Sequence, residues 1–375
     1  MRIPFNKPFL TGKETKYIED AVTSGKISGN GFFTQKCQAF FEGKYEFKKC
    51  LLTTSCTDAL EMAAILCNIQ EGDEVIVPSY TFVSSALAFV RQGAKIIFAD
   101  SRSDHPGIDE HTIEALITSR TKAIVVVHYA GVACDMDAII KIAEKHNLYI
   151  IEDAAQAIDS YYKSRSLGGL GHLAAFSFHE TKNVISGEGG MLVINDKKLR
   201  NRADIVWEKG TNRTAFFKGE IDKYSWVDLG SSFLPSEIVA AFLFAQLEKL
   251  ESIQDKRKKL WKLYYAELLI LEEEAQLKLP VIPKYATNNA HMFYIIVKDL
   301  TERDNLLRFL RQNGIHAVFH YLSLHKSPYY SKLKIPAHLK NADFYSNCLI
   351  RLPLYYDLKE DEAYYVCNVI KSYFK

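Results

Sequence analysis

Between about residues 49 and 195 the chain alternates short, almost wholly apolar runs with amphipathic stretches. The runs at 49–53, 74–78, 95–99, 123–127, 149–152, 174–178 and 191–194 lack a regular polar alternate, which is the pattern of strands buried on both faces. Helical periodicity fills 57–68, 82–92 and 136–146, and turn signals such as Gln70-Glu-Gly-Asp73 and Arg91-Gln-Gly93 separate the elements. Strands alternating with helices predict an α/β domain built on a mostly parallel, seven-stranded sheet. Ligands of such sheets collect at the carboxyl ends of the strands, here 54–58, 78–82, 128–131, 153–156 and 179–182.

After Pro235 the pattern changes. Two long helices are predicted at 236–253 and 254–269, the second joining a large domain (residues 1–245, N-terminal segment included) to a smaller α+β domain (246–375). The smaller unit is expected to hold a strand near 292–297 and helices near 301–313, 337–348 and 360–373. A chain of 375 residues, 48% hydrophobic and 25% charged, has enough apolar material for both. Its 47 basic and 45 acidic residues nearly cancel, so no global field favours nucleic acid, although a local basic pocket remains open. The seven cysteines include no CxxC pair and no Cys/His cluster with metal-ligand spacing, which argues against a disulfide framework or a zinc site. The first residues lack a signal peptide's apolar core, and no run approaches the roughly 18–20 residues of a membrane span. A cytoplasmic, soluble protein is expected.

Chemistry concentrates at the strand ends. Lys182 lies in Ala174-Ala-Phe-Ser-Phe-His-Glu-Thr-Lys-Asn183, and Asp153 follows the apolar run of Tyr149-Ile-Ile-Glu-Asp-Ala-Ala-Gln156. A lysine and an aspartate at neighbouring strand ends suit a cofactor that needs an amine for its aldehyde and a carboxylate for its ring nitrogen. Taken singly, each has a plainer reading: a surface lysine, and a helix N-cap. Gln156 would point the same way as Asp153, whereas alternation turns Glu152 to the opposite face. In Leu52-Thr-Thr-Ser-Cys-Thr-Asp-Ala-Leu60 the backbone N–H groups of Thr57 and Asp58 open a helix and would suit an anion, unless Ser55 or Thr57 is only an N-cap. Phe82, preferred to Tyr80, is a candidate to lie against a flat ring or to fill the core. Ser177 could add a hydroxyl, and His179 is a candidate contact to substrate or phosphate. The glycine pattern Gly187-Glu-Gly-Gly190 permits close backbone approach. Gly168-Gly-Leu-Gly171 does not follow a strand as a dinucleotide fingerprint would.

These motifs, in this order, resemble the DegT/StrS-type sugar aminotransferases, a fold-type-I group of pyridoxal-phosphate enzymes. The resemblance runs from Pro4-Phe-Asn-Lys-Pro8 through Ser24-Gly-Lys-Ile-Ser-Gly29 to Arg351-Leu-Pro-Leu354. It implies pyridoxal 5'-phosphate held as a Schiff base by Lys182, with Asp153 at the pyridine nitrogen and Gln156 at the phenolic oxygen. It also implies Ser177, Thr57 and Asp58 at the phosphate and Phe82 on the ring. Longer stretches narrow the resemblance to members that use L-glutamate to aminate a dTDP-linked keto sugar: 126–134, 177–183, 208–213, 222–226, 289–294 and 318–321. Sugar and diphosphate contacts are then expected from His179, Lys209, Arg213, Lys223 and His320, in a homodimer or higher oligomer with shared sites. Where many members carry a Gly-aromatic-Asn-Tyr-Arg stretch that reaches the neighbouring subunit's phosphate, this chain reads Gly230-Ser-Ser-Phe-Leu234, leaving Ser231 or Ser232 as substitute. Lysine at 182, where deoxygenating relatives carry histidine, favours amino transfer. A non-catalytic regulator would need a DNA-binding segment that the chain has no room for.

Overall fold

A computed structural model describes residues 2–332 and 338–375. The main sheet contains β1 (Cys50–Thr53), β2 (Glu74–Pro78), β3 (Lys95–Ala99), β4 (Thr121–Val127) and β5 (Tyr149–Asp153). A small hairpin, β6 (Tyr161–Tyr162) and β7 (Arg165–Ser166), precedes its last strands, β8 (Leu173–Ser177) and β9 (Gly190–Ile194). The strand order is β1-β9-β8-β5-β4-β2-β3. Strand β9 runs antiparallel to both neighbours, and the remaining pairs are parallel. The expected seven-stranded, mostly parallel sheet is therefore present.

Successive residues of each strand enter different cores. Val75, Val77, Val125, Ile151 and Leu192 pack into one cluster, while Ile76, Ile124, Val126, Ile150 and Met191 pack into the other. Each such side chain contributes about 1.5–3 kcal/mol on burial, and this two-sided burial explains the absence of polar alternates in the sequence. Helix starts follow local capping chemistry. Ser55 caps Cys56–Leu66 through the N–H of Asp58, and Asp135 caps Met136–His146 through that of Ala138.

A second sheet joins β10 (Phe293–Ile296), β11 (Val318–Phe319) and β12 (Leu349–Leu352) in the antiparallel order β10-β12-β11. Its core includes Leu260, Tyr264, Phe293, Ile295, Leu306, Ile350 and Val366. Ile3 joins this core through a bridge to Ile315, while Phe9, Ala21 and Phe33 of the N-terminal segment pack into the main-sheet core. The long helices also differ from expectation. They run Glu237–Leu247 and Leu250–Glu273, breaking near Lys249 rather than after Ile253. The second helix places Leu250 and Ile253 in the first core and Leu260, Tyr264 and Leu268 in the second, so one apolar stripe serves both. The helix expected at 337–348 is Lys340–Cys348; Ala337 lies outside the described residues. Two helices not anticipated, Glu14–Thr23 and Phe32–Tyr45, pack on Glu237–Leu247. Among the described residues no helix is long and apolar enough to cross a membrane.

Candidate active site

The carboxyl ends of β1, β2, β4, β5 and β8 all open on one edge of the main sheet, because those strands point the same way. Alternation at the end of β5 separates two adjacent carboxylates. Glu152 turns inward, where it accepts hydrogen bonds from His128 Nε2 (2.9 Å) and from the N–H groups of Gly168 (2.8 Å), Leu170 (2.8 Å) and Gly171 (2.6 Å). The glycine pattern at 168–171 is thus a cradle for an internal carboxylate. Asp153 turns the other way, into a cavity of about 510 Å³. It accepts hydrogen bonds from Ser85 Oγ (2.6 Å) and from the N–H of Ala155 (3.2 Å).

Lys182 lines that same cavity. Its loop is anchored from behind: Asn183 Nδ2 donates to Gln254 Oε1 (2.7 Å) and to the carbonyl of Asn289 (3.0 Å), and Asn183 Oδ1 lies 2.9 Å from His291 Nδ1. The amine itself has no ion-pair or hydrogen-bond partner among the described residues. Burial holds it below the ordinary lysine range, and nearby Arg351 adds to this against the opposing pull of Cys56 and Asp153. An unpaired, partly dehydrated amine is a ready nucleophile.

Beside it a cup of small groups forms where β1 meets the Cys56–Leu66 helix. Thr57 Oγ1 and Ser84 Oγ are 2.7 Å apart and both line the cavity with Ser55, Cys56 and Ser177. The N–H groups of Cys56 and Thr57 are bonded to no acceptor among the described residues, and they open the helix at its positive end. Gly190, at the start of β9, faces this turn. A Cβ there would come within 2.3 Å of Ser55 C and 2.4 Å of Cys56 N, so only glycine lets the strand lie against the turn.

Gln156 is fixed by the N–H of Ala130, which donates to Oε1 at 2.6 Å, leaving Nε2 to reach Tyr321 Oη at 3.2 Å. Asn289 clamps the same turn by donating to the carbonyls of Gln156 and Ile158, both at 2.8 Å. Phe82 is 56% exposed at the cavity wall, with its ring 6.0 Å from that of Tyr321, while Tyr80 is buried among Tyr129, Tyr294 and Tyr345. Phe82, and not Tyr80, lines the cavity.

Of the residues singled out in the sequence, Thr57, Phe82, Asp153, Gln156, Ser177, His179, Lys182 and His320 meet at this cavity. Asp58 does not. Its N–H is taken by Ser55 Oγ (3.1 Å) and its carboxylate by the hydroxyl of Thr54, because the N-cap consumes the donor that an anion would need. Lys209, Arg213 and Lys223 also stand outside it, in the segment that returns through Gly230-Ser-Ser-Phe-Leu234. There Lys209 N–H donates to the Ser231 carbonyl, Ser232 bridges to Glu208, and Arg213 lies over the rings of Phe217 and Tyr224.

Sequence reasoning missed Tyr321, His291 and Arg351, which the second sheet and its approaches bring to the opposite wall. Arg351 was visible only as part of a terminal motif, since nothing local marks it as reaching a distant strand end. Its NH1 is 3.2 Å from His320 Nε2. Burial, with Arg351 and Lys182 nearby, pushes His320 well below its ordinary range, so it is neutral and accepts from the guanidinium. A second cavity of similar volume, lined by Leu87, Leu324 and Tyr330, is mainly apolar, and its charged residues Lys326 and Asp343 are paired at 2.7 Å. It offers no comparable chemistry.

An unpaired lysine, an aspartate held by two donors, a cup of hydroxyls and free N–H groups, and an aromatic wall together fit a phosphorylated pyridine aldehyde. The fold and this site define a fold-type-I transferase that uses pyridoxal 5'-phosphate. Residues 8–371 match the DegT/DnrJ/EryC1/StrS aminotransferase family, and the chain belongs to it. It is 32% identical over 376 residues to GDP-perosamine synthase of Escherichia coli O157:H7, covering 99% of this chain and 98% of that protein. It is 30% identical over 388 residues to the spore coat polysaccharide biosynthesis protein SpsC of Bacillus subtilis, covering 100% and 97%. Among solved structures it is similar to an aminotransferase from Psychrobacter cryohalolentis (27% identity, TM-score 0.92, 99% of each chain). The same holds for Helicobacter pylori PseC, an aminotransferase of pseudoaminic acid biosynthesis (25% identity, TM-score 0.92, 100% and 99%). The protein is a pyridoxal-phosphate-dependent sugar aminotransferase.

Proposed function

We propose that the enzyme moves the amino group of L-glutamate to C4 of dTDP-4-keto-6-deoxy-D-glucose, giving dTDP-4-amino-4,6-dideoxy-D-galactose and 2-oxoglutarate for a cell-surface polysaccharide such as enterobacterial common antigen or O-antigen. The amino-transfer reading is carried by the convergence of Lys182 and Asp153 on one cavity. The choice of sugar rests on the six longer stretches that resemble dTDP-4-amino-4,6-dideoxygalactose transaminase. Four of them supply lining residues: Val127; Ser177, His179, Thr181 and Lys182; His291; and His320 with Tyr321.

When bound, pyridoxal phosphate carries the amino group between donor and acceptor and takes up the electron pair left by loss of a proton. Lys182 would hold the cofactor covalently; once released, its neutral amine, favoured by its lowered basicity, would take the donor's Cα proton, and its protonated form would return one to the sugar's C4. Asp153 keeps the ring nitrogen protonated, and Ser85 and the Ala155 N–H hold its carboxylate in place. Gln156 Nε2 would donate to the phenolic oxygen. Thr57, Ser84, Ser177 and the N–H groups of Cys56 and Thr57 take the phosphate, in place of Asp58. Phe82 would cover the ring.

A homodimer completes the site in this reading. Phe217, Tyr224, Trp226, Val227 and Leu229 are more than half exposed on one segment, an apolar surface that a second subunit would cover. The same segment would present Lys209, Arg213, Lys223 and Ser231 or Ser232 to the neighbour's cavity, where the basic groups meet the sugar diphosphate. Incubation with L-glutamate and a panel of dTDP-, UDP- and GDP-linked 3-keto and 4-keto sugars, with NMR of the amino sugar formed, tests the assignment. Turnover of a UDP- or GDP-linked sugar in preference to the dTDP-4-keto sugar would overturn the choice of substrate.

A further inference from the structure

We infer that Thr81 is a positioning residue for the group that meets the cofactor's ring nitrogen, acting through Ser85 on Asp153, an inference that rests on Asp153 as that group. Two hydroxyls stand in series behind the carboxylate. Thr81 Oγ1 lies 2.8 Å from Ser85 Oγ, and Ser85 Oγ lies 2.6 Å from Asp153 Oδ2. Thr81, Ser85 and Asp153 are 2%, 0% and 6% exposed, so water does not compete along this chain. Thr81 Oγ1 has no other hydrogen-bond partner among the described residues. Ser85 itself does not line the cavity; it reaches the chemistry only through Asp153.

Counting protons fixes the direction of the chain. A hydroxyl has one proton to donate, and an ionised carboxylate can only accept. Ser85 must therefore point its proton at Asp153 Oδ2, and the proton between the two hydroxyls must come from Thr81. By donating, Thr81 ceases to be a competing acceptor for Ser85 and polarises the Ser85 O–H towards the carboxylate. The other oxygen, Oδ1, takes the N–H of Ala155 at 3.2 Å. With each oxygen held by a donor, the carboxylate is fixed and its remaining lone pairs are left for the cavity that Asp153 lines. The hydroxyl pair one residue earlier is a useful contrast. Thr57 Oγ1 and Ser84 Oγ are 2.7 Å apart, but both line the cavity and neither is bonded to a carboxylate among the described residues. Consecutive residues of a helix diverge by about 100°. The start of Ser84–Val90 thus sends one hydroxyl to the phosphate cup and the next to the carboxylate.

The test is a double-mutant cycle read by calorimetry on the apoenzyme, with pyridoxamine phosphate and its deaza analogue, in which a C–H replaces the ring nitrogen. Ser85→Ala should weaken pyridoxamine phosphate about tenfold and Thr81→Val about threefold, as for losing a hydrogen bond to a charged group and one that reinforces it. The deaza analogue should change by less than about twofold, and Thr81→Val should add nothing in the Ser85→Ala background. Thr81→Ser, which keeps the hydroxyl, should restore binding. In the loaded enzyme the nitrogen-NMR resonance of the ring should move from its protonated towards its unprotonated position in Ser85→Ala, and less far in Thr81→Val. Additive losses, or equal losses for both ligands, would reduce Thr81 to a packing residue and overturn the inference. Should the variants not fold, neutron diffraction of the wild-type holoenzyme decides. Deuterium on Thr81 Oγ1 must point at Ser85 and that on Ser85 Oγ at Asp153; the reverse of either overturns the inference. A wild-type ring nitrogen without a proton defeats the Asp153 assignment itself, whereas a protonated one indifferent to Ser85→Ala defeats only this inference.

Discussion

Glu152→Gln is nearly isosteric, yet it should be among the most damaging changes near the site. The carboxylate is fully buried and takes four donors. Leu170 and Gly171 meet Oε1, and Gly168 and His128 meet Oε2. His128 Nδ1 accepts the N–H of Cys134 at 3.3 Å, so the proton on Nε2 must point at Glu152. A glutamine keeps one acceptor and sets an NH2 against two donors; flipping the amide only moves the conflict from Gly168 and His128 to Leu170 and Gly171. Each stranded buried donor costs about 1–3 kcal/mol, and the loss of the charge brings the total to roughly 3–5 kcal/mol. At about 2 °C per kcal/mol for a chain of this size, the apparent Tm at pH 7 should drop by roughly 6–10 °C. The pH dependence is a second signature. Burial alone would raise the Glu152 carboxyl, but the hydrogen bonds from His128, Gly171 and Gly168 outweigh it and hold the group below its ordinary range. Its contribution is therefore complete above the ordinary carboxylate range and fades as pH falls through the lower folded value. Thermal melts of both proteins between pH 3 and 8 would show a gap that closes on acidification. A variant within 2 °C of wild type at pH 7, or a gap that persists in acid, would refute the reasoning.

Other expectations follow from the cavity. Lys182→Ala should abolish the visible absorbance of covalently bound cofactor together with turnover; normal activity would remove the central assignment. In the wild-type apoenzyme, capture of pyridoxal phosphate should rise with pH and level off below the ordinary lysine value of 10.5, because burial favours the reactive neutral amine; a plateau only above that value would contradict the depressed basicity. Asp153→Asn should retain some cofactor but lose most of the rate, since an amide cannot hold the ring nitrogen protonated, and unchanged kinetics would exclude that role. Phe82→Ala should loosen the cofactor by about tenfold, the value of one aromatic contact with its buried area, read as faster release on dialysis; equal retention would place Phe82 elsewhere.

The main sheet was legible because burial on both faces writes itself into the chain as runs such as Val75–Val77 and Ala123–Val127, with no polar alternate to confuse the period. The separation of Glu152 from Asp153 was likewise legible, since neighbouring residues of a strand must point to opposite faces. Asp58 was misread for a local reason: a serine three residues before a helical N–H serves equally well as a cap, and only the actual hydrogen bond distinguishes the two. The short strands β11 and β12 escaped because two to four residues carry too little periodicity to register.

What the sequence determined by itself was governed by near neighbours along the chain: the seven strands of the main sheet, most of the helix starts between them, and the placement of Lys182, Asp153 and Gln156 after strand ends of that sheet. The tertiary structure alone decided the opposite wall. Arg351, His291, His320 and Tyr321 reach Lys182 only because the second sheet packs across the cavity mouth, and Asn289 and Asn183 lock the two together. Lys209, Arg213 and Lys223 lie outside that cavity, on a segment tied instead to Ser231 and Ser232. Contact across such distances depends on how whole layers dock, a property of summed apolar surfaces that no local spacing records.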